Sequence, residues 1–190
     1  DPLVEAWGAD AVAAMEVAHF APVPLDITGK GDPAQLATDL GGTLLPTGSV
    51  RLQDAGQVSG LPGYDAGDWW VQDAAAAIPV RLLDLKEGET VLDMCAAPGG
   101  KTLQAAAVRA RVTAIDVSKQ RLKRVRENLE RCKLHAVVKK EDALKVAGNY
   151  DAIILDAPCS ATGTIRRHPD LPHAKTGDNF GELIGLQAEM

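Results

Sequence analysis

An α/β domain built on a doubly wound parallel sheet is the fold this sequence predicts, and three observations carry it. Short, nearly continuous apolar runs recur at Thr90–Met94, Arg111–Ile115, Ala136–Val138 and Tyr150–Leu155. Segments of helical character separate them, and runs apolar on both sides belong to sheets covered on both faces. Acids and glycines follow directly on the runs, where open α/β sheets bind their ligands.

Each element has its own signal. Residues 1–68 are rich in Gly, Pro and Asp and read as a small α+β appendage or the tail of one. In it Asp32-Pro33-Ala34-Gln35 starts a helix and Gly41-Gly42 stops it. Short strands are expected at Pro24–Ile27 and Ser49–Leu52, and a loop at Leu61–Asp65. From Trp69 onward, over residues 69–190, the rhythm changes to alternating strand and helix. Val71–Leu83 is Ala-rich and helical, with Pro79 expected to kink or restart it. Lys101–Val108 is a further helix. Ser118 caps another, with Leu122, Val125, Leu129 and Cys132 on one face at spacings of three and four. A last helix begins near Phe180.

The 190 residues are 46% hydrophobic and 24% charged, with no apolar run of membrane-spanning length, so no membrane partner is expected. The opening Asp1-Pro2-Leu3-Val4-Glu5 is acidic and not a secretory leader, so a cytoplasmic location is expected. Cys95, Cys132 and Cys159 are three, far apart and without a C-x-x-C pair. Reduced thiols, no disulfide framework and no metal follow. The net charge of −6 argues mildly against nucleic-acid binding by the chain as a whole. Between Lys119 and Lys140, however, nine Lys/Arg face two Glu, and Arg166-Arg167-His168 follows the Cys159 loop. A solvated helix face and an RNA contact surface both account for the first cluster.

The chemistry sits past the strand ends. Cys95-Ala96-Ala97-Pro98-Gly99-Gly100-Lys101-Thr102 offers small residues and glycines that admit a ligand to the backbone, followed by a helix start. Asp116, past the second strand, is placed to accept both hydroxyls of a ribose. Glu141-Asp142, past the third, offers a carboxylate to an exocyclic amine. Together these describe a nucleoside pocket. A P-loop triphosphatase is the rival reading, but its motif needs Gly where Cys95 stands. The fourth strand delivers Asp156-Ala157-Pro158-Cys159-Ser160, an acid and a thiol on a Pro-rigidified turn expected to enter one cleft. Cys159 is thus a candidate reactive thiol, and Cys95 a wall of the pocket.

The Cys95–Thr102 run, Asp116, Asp142 and Asp156–Gly163 together resemble the RNA 5-methylcytosine methyltransferases of the NOL/NOP/Sun class. Thr164–Leu171 looks most like the bacterial Fmu/Sun (RsmB) branch, which acts on 16S ribosomal RNA. The resemblance covers residues 60–190 strongly and the first 60 weakly, and it implies that 69–190 are the catalytic domain and 1–68 an RNA-binding appendage or its tail. It implies S-adenosylmethionine as cofactor, held by Cys95, Ala96, Ala97, Pro98, Gly99, Gly100 and Lys101, with Asp116 on the ribose, Asp142 on the adenine side and Asp156 near the methyl donor. It implies an RNA substrate, a monomer, and two catalytic cysteines. One, in a Thr-Cys-Ser motif, attacks C6 of cytosine; the other, matching Cys159, helps the adduct break down, with Asp156 on the cytosine edge. No Thr-Cys-Ser occurs in the 190 residues, and four strands are accounted for where the family has seven. The expectation is a sheet incomplete at its C-terminus, a main nucleophile beyond Met190, and no RNA methylation by this piece alone. A non-catalytic RNA-binding module with the same fold is the alternative.

Overall fold

The computed structural model describes residues 2–175 and 177–190. Two compact units divide the chain, one of residues 24–157, the other of the first 23 residues with Pro158–Glu189. The second unit opens with α1 (Pro2–Trp7) and α2 (Ala9–Phe20). The sequence did not announce these helices. Apolar residues in Ala9–Phe20 form no one-sided stripe, and Val12 alone is buried, so there was no period to read.

Within 24–157, β1 (Leu25–Gly29), β2 (Thr43–Leu44), β3 (Val50–Leu52) and β4 (Trp69–Val71) form an antiparallel sheet in the order β2-β3-β1-β4. Between β1 and β2 runs α3 (Pro33–Leu40), where Asp32 accepts from the Ala34 N–H at 2.9 Å and Gly41 ends the helix. Ile27, Val50, Leu52, Ala37 and Trp69 fill this core.

The structure differs from the division expected at 68/69. Trp69–Val71 is a strand of the antiparallel sheet, paired Ile27↔Val71 and Gly29↔Trp69, and both sheets lie in one compact unit. Neighbouring side chains of a strand point to opposite faces, which is the reason. Trp69 fills the antiparallel core and donates to the Pro62 carbonyl at 2.7 Å. Trp70 packs with Leu103, Leu122, Val125 and Leu129 of the other sheet's helices.

The second sheet is parallel: β5 (Thr90–Met94), β6 (Arg111–Asp116), β7 (Val137–Lys140) and β8 (Ala152–Leu155), in the order β7-β6-β5-β8. Before it, Asp73 caps α4 (Ala74–Leu82), which runs through Pro79 unbroken. Helix α5 (Gly100–Ala107) follows β5, and α6 (Lys119–Arg131) follows β6. Ser118 caps α6 through the Arg121 N–H, and Leu122, Val125, Leu129 and Cys132 are buried as their spacing predicts. The fold is α/β and Rossmann-like. Leu92, Met94 and Ile115 face the opposite side, against Ala143, Val146 and Tyr150. Coverage of both faces holds for the inner strands; Val137, Ile153 and Leu155 on the outer strands stay exposed.

The end of α6 joins the two sheets. The Lys30 ammonium donates to the Cys132 carbonyl at 3.0 Å, and Arg131 donates to the Tyr64 carbonyl at 2.9 Å while lying 4.3 Å over the Tyr64 ring. Gly67 (φ 73) lies so close to this end that a Cβ on it would stand 1.9 Å from the Arg131 carbonyl oxygen.

In the other unit, α7 (Leu171–Ala174) and α8 (Phe180–Glu189) complete the chain, the latter starting where expected. Arg166 there donates to the Pro22 carbonyl at 3.4 Å.

Candidate functional site

β5 is the switch point of the parallel sheet: its sequence successor β6 lies on one side and β8 on the other. Residues past these strand ends therefore gather on one rim. Cys95 turns the chain out of β5 in the left-handed region (φ 59), an uncommon conformation for a residue with a side chain. Neighbouring contacts hold the turn in place. Ala96 N–H donates to the Ile115 carbonyl at 2.9 Å, while the Ala97 carbonyl accepts from Arg121 at 2.8 Å and that of Pro98 from Asn128 at 3.1 Å. The Ala97-Pro98 peptide is cis.

Gly99 (φ 111) caps α5 through its backbone, and a Cβ there would stand 3.3 Å from Val125. A Cβ on Gly100 would stand 3.3 Å from the Gln72 side chain. The two glycines are where the loop is closest to its supports, as a turn that packs tightly requires.

Asp116 is almost wholly enclosed. One oxygen accepts from the Ser118 N–H at 2.9 Å; the other accepts from the Ala97 N–H at 3.4 Å and meets Arg121 at 3.3 Å. Asp156, past β8, is mostly exposed and accepts from the largely buried Lys101 at 2.6 Å. Asp142, past β7, caps the turn Ala143–Lys145 through the Leu144 N–H at 3.1 Å and stands 3.8 Å from Lys145. Burial, and after it the Asp116 charge, push the Cys95 thiol above its ordinary value, so it stays protonated at neutral pH. Cys159 belongs to the other compact unit, where its exposed sulfur accepts from the Ala161 N–H at 3.4 Å.

Two residues of the site escaped the sequence reading. Arg121 bridges Asp116 and the Ala97 carbonyl, and nothing distinguished it among the basic residues of α6. Asp93 is fully buried in β5, accepting from the Thr102 hydroxyl at 2.5 Å while its Oδ1 has no partner. Its one signal was an acid in the middle of an apolar strand.

Burial raises the Asp93 pKa to about 6, against the opposing Thr102 hydrogen bond and the Lys101 charge. The fold then holds a proton there that the unfolded chain releases near pH 4, so stability from this group declines between about pH 4 and 6. Asp93→Asn removes that slope. Chemical denaturation should show the variant gaining about 2–3 kcal/mol on the wild type between pH 4 and pH 7. A constant difference across the range would contradict the assignment.

A cavity of about 430 Å³ opens along α4 and β8, lined by Ala75, Pro79, Leu83 and Leu155 with Lys101 and Asp156. Among the described residues, no three His, Cys, Asp or Glu side chains gather so as to hold a metal ion. No helix of the described residues is long and apolar enough to cross a membrane.

Comparison with known proteins accords with this geometry. Residues 80–190 match the family model for 16S rRNA methyltransferase RsmB/F. Ribosomal RNA small subunit methyltransferase B of Serratia proteamaculans is 50% identical over 149 residues, 75% of this chain and 35% of the relative. The protein of the same name from Yersinia enterocolitica is 48% identical over the same span. The chain thus spans about a third of the length of the curated relatives it matches. Among solved structures, PH0851 superposes on 98% of this chain and 46% of its own, with a TM-score of 0.82 at 26% identity. A methyltransferase homologue from Pyrococcus horikoshii covers 85% of this chain and 58% of its own, with a TM-score of 0.69 at 29% identity. By the match over residues 80–190, more than half its length, the chain belongs to the 16S rRNA methyltransferase RsmB/F family.

Proposed function

We propose that this chain is the cofactor-holding part of an enzyme that uses S-adenosylmethionine to methylate C5 of cytosine in 16S ribosomal RNA. One observation carries the reading: the Pro-Gly loop after β5 and the carboxylates Asp116 and Asp156 after β6 and β8 stand at the carboxyl ends of three adjacent strands. The residues present fit the cofactor. Asp116 offers oxygens to a ribose diol that takes the place of Arg121 on it. Asp93 Oδ1 is a buried acceptor without a donor, and a cofactor bearing an ammonium and a sulfonium brings positive charge to this rim. Gly99 and Gly100 let the loop pack against Val125 and Gln72, which fixes its backbone beside the strand ends. Asp142 faces the adenine side in this assignment. When bound, the cofactor supplies an electrophilic methyl group.

The chain's own residues then bind and orient. Lys101 fixes the Asp156 carboxylate, leaving its second oxygen for the amino edge of cytosine. A base must leave its stack to reach such a rim. An unactivated C5 is a poor nucleophile, and addition of a thiolate to C6 makes it carbanion-like. In the family's pattern that thiol stands in a Thr-Cys-Ser motif, absent from these residues. Cys159 takes the second role, helping the adduct eliminate and the methylated RNA leave.

Calorimetric titration of the chain with S-adenosylhomocysteine and with ATP tests the cofactor assignment; binding of ATP alone would refute it. In the full-length protein, Cys159→Ala should accumulate a denaturation-resistant RNA–protein adduct visible as a shifted band on a denaturing gel. No adduct and no methylation would instead make Cys159 the attacking thiol.

A further inference from the structure

The cations of α6 and β7 are more than a solvated surface. Nine Lys/Arg stand against two Glu in residues 119–140, in a chain whose net charge is −6. Solvated helices balance such charges with acids one turn away. Here Lys123–Glu127 at 3.5 Å is such a pair, whereas Lys119, Arg124, Lys139 and Lys140 are exposed and make no ion pair among the described residues. Lys119, Arg121, Lys123 and Arg124 also crowd the first turns of α6, with no acid in the first turn. Cations at that end oppose the helix dipole, so helix stability does not account for them.

Their position is shared with the site. Lys140 lies opposite Asp116 in the β6–β7 ladder, Lys119 begins the helix three residues after Asp116, and a cavity of about 320 Å³ lies between Ala97-Pro98 and Gln120, Arg121 and Arg124. Val138 packs on the α6 side of the sheet, so Lys140 shares that side and Lys139 points to the other. Lys119, Arg124 and Lys140 therefore lie with the loop assigned to the cofactor at the carboxyl end of the sheet.

We propose that this rim, formed by Lys119, Arg124 and Lys140, takes the phosphate backbone of the RNA whose base enters the site. The proposal rests on the RNA-methylating reading above. Exposed cations held by no acid fit a contact to phosphates, which positions the strand and leaves sequence selection to other contacts.

Binding of full-length protein to a fluorescent 16S ribosomal RNA transcript, followed by anisotropy across a salt series, tests it. Two separate variants, K119Q/R124Q and K140Q, should weaken binding about tenfold and about threefold or more respectively. Each should flatten the log–log salt dependence by about 0.7 per lost contact, with affinity for S-adenosylhomocysteine unchanged. K140R keeps the charge and should bind RNA as the wild type does. Wild-type RNA affinity and slope in both Gln variants, or failure of K140R to bind, would overturn the assignment of this rim. A wild-type protein that binds the cofactor product but no RNA at low salt would overturn the RNA reading itself.

Discussion

Asp116→Ala should abolish binding of S-adenosylhomocysteine, with a loss of at least about 100-fold in calorimetry. A hydrogen bond to a charged group is worth about 1.5–3 kcal/mol, and the proposed ribose makes two to this carboxylate. The substitution also strips the acceptor from the Ala97 and Ser118 N–H groups and the counter-charge from Arg121. A loss of about 3 kcal/mol in stability should accompany it, read by chemical denaturation. Asp116→Asn separates the two effects, because it keeps one oxygen and the shape and removes the charge. Its stability should fall less than that of the Ala variant while its affinity falls nearly as far. Undiminished affinity in the Asn variant would remove Asp116 from the cofactor's ribose.

Gly67→Ala should be the most damaging of the glycine-to-alanine substitutions in the 24–157 unit. The new Cβ would meet the Arg131 carbonyl oxygen at 1.9 Å and the Cys132 Cα at 2.7 Å, both backbone atoms that cannot rotate aside. The left-handed backbone (φ 73) adds its own strain. We expect a cost of about 3–5 kcal/mol and a melting temperature lower by about 10 °C or more. Gly56→Ala is the control. It shares a positive φ (55) but meets open space, so its cost should stay near about 1 kcal/mol. Equal effects in the two variants would mean that conformation, not the clash, is what matters.

Much of the parallel sheet was legible because its signals are local. Ser118 with Leu122, Val125 and Leu129 defines α6 within one stretch of sequence, and Asp32-Pro33 with Gly41 does the same for α3. Acids past the apolar runs located Asp116 and Asp156. What escaped depends on distant partners. Gly67 looks like any glycine in a Gly-rich loop until Arg131, sixty-four residues on, is placed beside it. Arg121 differs from Arg124 only by what it reaches. Trp69-Trp70 read as the start of a new domain, since alternation along a strand does not say that each face meets a different core.

β4 has a consequence for how force and heat pass through the protein. Trp69 and Trp70 are consecutive, yet each is embedded in a different hydrophobic core, so two cores are bolted together across a single peptide bond. Loosening either core therefore exposes a tryptophan whose chain neighbour is anchored in the other, and the antiparallel and parallel sheets share one fastening point at β4.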